Sequence, residues 1–443
     1  MFTIAEQVDA LFAEWDKPDS PGCALAVIQN GKIVYKRGYG MADLERNVPI
    51  SPEFLFDLGS VGKQFTATII AILENQSLLS FDDCLRKYVP EMPGYADEIT
   101  IRQLIHHTSG LRDYVTLMEI AGLPEENIYP EEILIEFIAH QQELNFVPGA
   151  EYLYSNSGYF MLGVIAKRVT GRHLTELIRK YIYEPLGMVY SAFNKDHRPV
   201  LKKRALSYSP AKGGGFQNKV SLCGGFGDGP IYSNVEDLYL WDQNFYANKL
   251  NHAQPNLMET LHTQGKLNDG TIIEYAFGLE IDSYRGLRTV EHGGSWAGYR
   301  SALLRFPEQI FSVICLCNLA SMIPEDLTRR VADIYLDKEF KTPAAKAQKG
   351  QPETEKQAFV PDSLIPYVSK YHNSELNVDY ILTIRENQLY LQRNPYVPPE
   401  RLLPIAPEVF KTEELQLQFS GSDLLVSQER VKNMRFTKTD LVA

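Results

Sequence analysis

The hydrophobic positions of this chain follow two different periods, and the changes between them mark out its elements. Thr3 and Glu6 form a capping box at the start of a predicted helix. The apolar face of that helix has the spacing of a helix lying on a sheet: Ile4, Val8, Leu11, Phe12 and Trp15. Residues 23–29 and 32–38 instead have strand character, and Asn30-Gly31 between them is a strong signal for a tight hairpin.

A helical region separates this hairpin from a second set of strands. Helical periodicity dominates from about 81 to 185, with candidate helices at 101–107, 130–140 and 158–169. Strand patterns return at 275–283, 287–292, 299–306 and 310–318, and a last helix is predicted at about 323–338. Strands on both sides of a helical segment indicate an α+β fold, an α/β sandwich whose antiparallel sheet is flanked by helices and carries an inserted helical subdomain.

The chain changes character after about residue 340. Residues 341–357 contain no large apolar side chain, which predicts a linker. Short alternating runs follow, as in a small all-β barrel: 380–385, 388–393, 415–419 and 424–428. We therefore expect a main domain at 1–340, with its helical insertion at about 81–185, then a linker at 341–357 and a C-terminal barrel-like domain at 358–443.

The charge balance narrows the set of partners. The 443 residues include 44 Lys and Arg against 56 Asp and Glu, a formal net charge of −12 without a basic cluster. This argues against nucleic acid and anionic membranes as partners. No apolar run reaches the roughly 18 residues of a membrane span, and the N-terminus lacks a signal-peptide pattern. We therefore expect a cytoplasmic protein without a membrane span.

The cysteines indicate neither a disulfide framework nor a zinc site. They are odd in number, scattered and without Cys-x-x-Cys spacing: Cys23, Cys84, Cys223, Cys315 and Cys317. We therefore expect buried free thiols, and a chemistry that uses no metal and no cofactor.

A serine and a lysine one helical turn apart precede an apolar helix. Ser60 follows a glycine and opens the helical pattern, where free N–H groups favour developing negative charge. Lys63 lies on the same face, and residues 64–73 carry no charge. Because a desolvated lysine loses its proton more readily, Lys63 can accept the proton of the Ser60 hydroxyl. The pair indicates a nucleophile with its own base.

The same pair also has a purely structural interpretation. Serine is a favoured helix N-cap, and Lys63 can be a surface charge in the first turn. A second Ser-x-x-Lys, Ser209-Pro210-Ala211-Lys212, lies in a glycine-rich loop with no helix behind it. We favour Ser60 over Ser209 because of the apolar helix that follows Ser60.

A second group of polar side chains, Tyr154 and Asn156, stands just before a predicted helix. The Tyr154 phenol can relay a proton to a leaving group, and the Asn156 carboxamide can hold a substrate amide. The alternative is that Tyr154 is a core tyrosine. The tripeptide recurs at Tyr232-Ser233-Asn234, where Asn234 and the acidic residues after it are typical of a helix cap.

The third group, His292-Gly293-Gly294-Ser295, ends a predicted strand. The two glycines allow close approach to the backbone, so the Ser295 N–H can face a carbonyl oxygen. Together with the Ser60 N–H it would form an oxyanion hole, and His292 would add a donor or a positive charge beside it. The alternative for a lone histidine is a packed or surface position.

In this order the three motifs resemble those of the serine β-lactamase and penicillin-binding-protein superfamily, in its class C β-lactamase, DD-peptidase and D-aminopeptidase branch. The resemblance rests on Ser60-Val61-Gly62-Lys63, Tyr154-Ser155-Asn156 and His292-Gly293-Gly294, and covers most of residues 5–335. It implies that Ser60 is acylated, that Lys63 and Tyr154 share the proton transfers, and that Asn156 binds the substrate amide. The tail from about 360 resembles the lipocalin-like barrels appended to D-aminopeptidases.

The resemblance implies a metal-free serine hydrolase for small peptides or amides, similar to a D-aminopeptidase or DD-peptidase, with β-lactams as possible covalent ligands. It specifies no oligomeric state. His292 stands where β-lactamases carry lysine, which argues against true β-lactam resistance. One alternative is an esterase or weak β-lactamase of the same fold, and another is a non-catalytic penicillin-binding or assembly protein. Histidine at this wall favours substrates with a free amine, for which a loop of the barrel would form an acidic entrance.

Overall fold

The computed structural model describes residues 2–124, 127–193, 198–221, 231–253, 255–343, 363–394 and 398–439. Within these ranges, six antiparallel strands form a main sheet in the order Glu280–Tyr284, Leu287–Trp296, Tyr299–Phe306, Phe311–Cys317, Cys23–Gln29 and Lys32–Tyr39. The predicted hairpin turn is confirmed, since Asn30 and Gly31 have φ angles of 52° and 75°. Because Cys23–Gln29 pairs with Phe311–Cys317, the two ends of the main domain meet inside one sheet.

Both faces of the main sheet are covered. Ala24, Ala26 and Ile28 point into a core shared with the helical region. The alternate residues of the same strand point to the opposite face, where the helices Ile4–Phe12 and Pro324–Tyr335 pack. The capping box of the first helix is present as predicted. These layers form the α+β sandwich that the sequence predicts.

Helices fill most of the segment between the hairpin and the late strands. Their bounds are Lys63–Asn75, Leu85–Tyr88, Ile101–Ile105, Tyr114–Ile120, Glu131–Ala139, Asn156–Thr170, Leu174–Ile178, Glu184–Leu186, Val235–Ala247 and Leu257–Leu261. The π-helical turn Arg179–Tyr183 joins two of them. In the described ranges, no helix is long and apolar enough to cross a membrane.

Short strands complete the main domain. One small sheet joins Phe56–Asp57, Ile231–Ser233 and Ala192–Phe193, and two pairs join Met41–Asp43 to Val48–Pro49 and Tyr208–Pro210 to Phe216–Asn218.

One predicted strand, 275–283, is shorter than expected. Its first half bends around the start of the helix Lys63–Asn75, where Gly278 has a φ of 70° and its Cα faces the backbone of Lys63 and Gln64. A side chain at position 278 would meet the Gln64 nitrogen at 2.7 Å. The strand therefore begins only at Glu280, while the next strand continues past His292 to Trp296.

The C-terminal part is a closed antiparallel barrel, as predicted. Between residues 369 and 439 the described strands are Ser369–Asn373, Val378–Arg385, Gln388–Gln392, Glu400–Ala406, Val409–Lys411, Gln416–Ser420, Asp423–Gln428 and Val431–Thr439. Most of the expected linker, from 344 onward, lies outside the described residues. The barrel core includes Leu117 and Ile120 of the main domain, so the helix Tyr114–Ile120 packs on the barrel. We call this helix the barrel-contact helix.

Candidate active site

The Ser60–Lys63 pair lies at the start of the central helix. Ser60 is part of the 3₁₀ turn Gly59–Gly62, and Lys63 is the first residue of the α-helix that follows. The Lys63 side chain is fully buried, and its Nζ donates to Ser60 Oγ at 3.0 Å and to Asn156 Oδ1 at 2.8 Å. Oδ1 of Asn156 is therefore bonded to Lys63, and Asn156 also lines the cleft.

The helix behind Lys63 holds it away from water. Every residue from Lys63 to Leu73 is buried, as the apolar pattern predicts. Its polar side chains bond inside the protein: Trp241 Nε1 donates to Gln64 Oε1 at 3.0 Å, and Thr68 Oγ1 donates to the Gln64 carbonyl at 2.7 Å. These bonds keep the helix rigid in the core, so Lys63 reaches Ser60 from a fixed backbone.

Tyr154 presents a buried hydroxyl to this pair. Lys63 Nζ lies 5.0 Å from the centre of the Tyr154 ring. Within the described residues, the Tyr154 hydroxyl has no hydrogen-bond partner. Burial raises the pKa of the phenol well above its usual value, and the neighbouring Ser60 hydroxyl and Arg430 guanidinium act in the opposite direction. A buried hydroxyl left unpaired is expected where a reacting group binds.

His107 supports Tyr154, and the sequence analysis assigned it no role. Its ring centre lies 4.1 Å from that of Tyr154, and its Nδ1 accepts the Ser155 N–H at 3.1 Å. Burial, and then the Lys63 charge, lower the pKa of His107 well below its usual value, so the ring is neutral. His107 has a φ of 57°, an uncommon angle for a residue with a side chain. The available signal was the stretch His106 to Leu111, which resembles the same family.

A buried segment just before the barrel-contact helix forms hydrogen bonds with Asn156 and Ser157. Asp113 Oδ2 accepts the Asn156 N–H at 2.5 Å, and Ser157 Oγ donates to the Arg112 carbonyl at 2.7 Å. The Tyr114 N–H donates to Ser157 Oγ at 2.8 Å. The first turn of the helix that carries Asn156 is therefore bound to residues 112–114.

His292 is buried, and both of its ring nitrogens are bonded within the protein. Nδ1 lies 2.6 Å from the Gly293 carbonyl oxygen, and Nε2 lies 2.9 Å from the Tyr275 hydroxyl. A carbonyl only accepts, so Nδ1 carries the proton and Nε2 accepts from Tyr275. Burial lowers the pKa of His292 to about 4. With this pKa the ring is uncharged at neutral pH. Of the two contributions predicted for His292, a donor or a positive charge, the lowered pKa disfavours the charge.

The backbone around Ser60 lies against the backbone of residues 293–295. Gly59 has a φ of 49°, and a Cβ there would stand 2.7 Å from the Ser295 nitrogen. A Cβ on Gly294 would collide with the Leu58 carbonyl, which accepts from Ser301 Oγ at 2.6 Å. Only glycine permits this approach, which brings the amide of Ser295 beside the Ser60 turn.

A buried carboxyl lies directly behind this turn. Asp57 Oδ1 accepts the Gly59 N–H at 2.9 Å. Burial raises the pKa of Asp57 to about 7, while the Gly59 amide and the Tyr232 phenol lower it. The Tyr232 tripeptide does form a helix cap, because Asn234 Oδ1 accepts the Asp237 N–H at 2.8 Å. Tyr232 itself nonetheless reaches Asp57, a contact that the sequence analysis missed.

These motifs open on one cleft of about 620 Å³. Its wall includes seven of the eight residues predicted for the site: Ser60, Tyr154, Asn156, His292, Gly293, Gly294 and Ser295. The eighth, Lys63, is buried behind Ser60. Ser209 and Lys212 do not line the cleft. Residues 222–230, with Cys223 and most of the glycine-rich run, lie outside the described residues.

Three cysteines that are scattered in sequence meet on the opposite face of the main sheet. Cys23 lies opposite Cys317 in the register of two neighbouring strands, and Cys315 Sγ lies 3.7 Å from Cys317 Sγ. The three sulfur atoms lie within 4.8 Å of one another in the described part of the chain. They belong to an apolar core and not to the cleft, so they contribute no ligand to the site.

The structure thus combines an α+β sandwich with a serine, a buried lysine and a tyrosine at one cleft, the arrangement of a nucleophile with an adjacent base. The β-lactamase family model matches residues 8–336, and the chain belongs to this family. The D-aminopeptidase of Gluconobacter oxydans (strain 621H) is 28% identical over 303 residues, which cover 67% of this chain and 56% of that protein. The chain therefore matches little more than half the length of this relative.

Solved structures have the same fold. The octameric penicillin-binding protein homologue from Pyrococcus abyssi superposes with a TM-score of 0.66 at 24% identity, covering 98% of each chain. The D-amino acid amidase from Ochrobactrum anthropi SV3, solved with L-phenylalanine, gives a TM-score of 0.64 at 18% identity. That alignment covers 76% of this chain and 99% of the amidase.

Proposed function

We propose that this protein is a serine hydrolase that cleaves small peptides or amides through an acyl-enzyme. The observation that carries the proposal is the 3.0 Å contact between the buried Lys63 Nζ and Ser60 Oγ. The D-aminopeptidase relative and the amidase neighbour support amide chemistry. We further propose the division into a catalytic domain at 1–340, a linker at 341–357 and a lipocalin-like barrel at 358–443.

In the proposed mechanism, neutral Lys63 takes the Ser60 proton while Oγ attacks the substrate carbonyl. The N–H groups of Ser60 and Ser295 bind the resulting oxyanion. Tyr154 donates its proton to the leaving nitrogen and regains one from the Lys63 ammonium, which returns the amine to its neutral form. A water molecule then attacks the acyl-enzyme by the reverse proton transfers. Asn156 Nδ2 donates to a carbonyl of the acyl group.

His292 has a positioning role in this proposal. Its bonds to Tyr275 and to the Gly293 carbonyl orient the strand that presents the Ser295 N–H. A neutral ring at this wall differs from the permanent charge of the lysine in β-lactamases. We therefore favour peptide or amide substrates over β-lactams, which would act as covalent ligands rather than as rapidly cleaved substrates.

Covalent labelling tests the nucleophile. After incubation with a fluorophosphonate or a β-lactam, peptide mass mapping is expected to place the adduct on Ser60, and Ser60→Ala is expected to abolish it. Ser209→Ala is the matched control, because Ser209 also precedes a lysine by three residues. An adduct on Ser209, or labelling that survives Ser60→Ala, would refute the proposal.

A substrate panel then separates the enzyme classes. We expect turnover of short peptides or amino-acid amides that exceeds turnover of a chromogenic cephalosporin, and loss of all turnover in Ser60→Ala. Turnover of esters alone would favour the esterase alternative. Labelling of Ser60 without turnover of any substrate would favour a non-catalytic penicillin-binding protein.

A further inference from the structure

One side chain of the barrel lines the catalytic cleft. Arg430 lies in the turn between the strands Asp423–Gln428 and Val431–Thr439, and its guanidinium carbon stands 4.8 Å from the centre of the Tyr154 ring. In the described part of the barrel it is the only residue in the cleft wall. The barrel thus adds a cation where the sequence analysis expected an acidic entrance.

The turn is attached to the main domain at Arg430 and at Lys432. Asn145 Nδ2 donates to the Arg430 carbonyl at 2.9 Å, and its Oδ1 accepts the Lys432 N–H at 2.8 Å. Lys432 Nζ also pairs with Glu151 at 2.6 Å. Two bonds therefore fix the backbone at Arg430 and Lys432, and an ion pair between side chains adds to them, so the Arg430 side chain starts from a defined point above Tyr154.

The Arg430 charge remains available to the cleft. Its side chain is 29% exposed, and its ion pair with Glu429 at 3.0 Å involves a carboxylate that is 65% exposed. Such a solvated pair contributes little free energy. The guanidinium also acts electrostatically on Tyr154, where it opposes the increase in pKa that burial causes. A planar guanidinium that is always protonated matches the two oxygens of a carboxylate.

Two carboxyl groups of the cleft wall have raised pKa values, and a third is bonded to the barrel. Burial raises the pKa of Glu280 to about 7 and raises the pKa of Glu325. Glu119 accepts a hydrogen bond from Gln428 Nε2 at 2.5 Å, which holds this carboxylate to the barrel. Of the charged groups in the described cleft wall, Arg430 is the one that stacks on the Tyr154 ring.

We propose that Arg430 binds the carboxylate of a peptide substrate on the leaving-group side of the scissile bond, an assignment that rests on the proposed function. Tyr154 protonates the leaving nitrogen in that mechanism, so a group over the Tyr154 ring faces the residue that leaves. In a released C-terminal amino acid, the α-carboxylate is separated from that nitrogen by one carbon atom. The site would therefore select peptides with a free C-terminal carboxylate at the bond that is cleaved.

A pair of substrates that differ only at this group tests the assignment. We would measure kcat/KM for N-acetyl-D-alanyl-D-alanine and for its C-terminal amide, together with the L,L pair. Arg430→Gln is expected to lower kcat/KM for the acid by roughly 10-fold or more relative to kcat/KM for the amide, mainly through KM. Any change that reaches both substrates through Tyr154 cancels in this ratio. Arg430→Lys keeps the positive charge, so its kcat/KM for the acid is expected to fall less than that of Arg430→Gln. Arg435→Gln is the matched control, since Arg435 is exposed on the strand Val431–Thr439, which follows the Arg430 turn, and pairs with Asp423.

Binding separates this inference from the proposed function. Ser60→Ala prevents acylation, so calorimetry with the same acid and amide reports recognition without turnover. We expect Ser60→Ala to bind the acid more tightly, and the added Arg430→Gln change to remove that preference. Equal affinity for acid and amide, or equal losses of kcat/KM on both in Arg430→Gln, would overturn the inference. Peptide turnover that persists without any acid preference would refute the role of Arg430 alone and leave the proposed hydrolase intact.

Discussion

Glu375 of the barrel is the partner of a buried arginine in the main domain, and we predict that removing its charge destabilises the whole protein. The Arg112 side chain is 1% exposed, and its Nη1 lies 2.9 Å from Glu375 Oε2, which also accepts the Gln142 N–H at 2.9 Å. Removing one partner of a buried ion pair costs about 3–5 kcal/mol, because the other charge stays buried. Glu143, at 3.4 Å from Arg112 and 58% exposed, compensates in part. For Glu375→Gln we therefore expect a loss of about 2–3 kcal/mol.

Urea unfolding followed by fluorescence measures this loss. The control is Glu91→Gln, which breaks an ion pair of 2.7 Å between Glu91 and Arg168. The Glu91 side chain is 48% exposed and the Arg168 side chain is 31% exposed. An exposed pair is expected to cost less than about 1 kcal/mol. Activity is expected to fall with Glu375→Gln as well, because the Arg112 carbonyl holds Ser157 beside Asn156. If Glu375→Gln costs no more than Glu91→Gln, the barrel is not coupled to the site through Arg112.

Two further predictions concern the site itself. Lys63→Ala and Tyr154→Phe are expected to be strongly non-additive in kcat/KM, because the two groups act on one proton; additive losses in a double-mutant cycle would show independent roles. The folded pKa of Asp57, about 7, lies above its unfolded value, so wild-type stability from this group falls as pH rises from about 4 to 7. The Asp57→Asn variant has no carboxyl group to titrate. Its free energy of unfolding relative to wild type is therefore expected to increase with pH across that window, by at most about 1.4 kcal/mol per pH unit. A difference between variant and wild type that stays constant from about pH 5 to pH 8 would contradict this.

The features that the sequence predicts well depend on neighbouring residues. The capping box at Thr3 and the hairpin at Asn30-Gly31 are set by local geometry, and both are present. The burial of the helix after Lys63 follows from its apolar composition. The three motifs were each weak alone. The structure brings them together because the helix that begins at Lys63 packs on the helix that begins at Asn156, and the Ser60 turn packs on the strand Leu287–Trp296.

The features that the sequence analysis missed depend on distant partners. The barrel-contact helix Tyr114–Ile120 is not among the candidate helices predicted for residues 81–185, and its apolar residues Leu117 and Ile120 are buried by a barrel more than two hundred residues away. Arg430 follows a glutamate in an ordinary hairpin turn, and nothing local distinguishes it from Arg435. Tyr232 belongs to a tripeptide that caps a helix, so its contact with Asp57 had no sequence signal.

The packing of the barrel-contact helix also determines the order in which this chain can complete its fold. The Tyr380 hydroxyl donates to the Ile120 carbonyl across a separation of 260 residues, and Leu117 and Ile120 belong to the barrel core. A ribosome delivers the N-terminal segment first, so these apolar side chains remain exposed until the barrel has been synthesised. Contacts so distant in sequence close slowly. The nascent main domain therefore exposes this apolar strip until translation is nearly finished, and we expect an expression fragment that stops near residue 340 to expose it permanently.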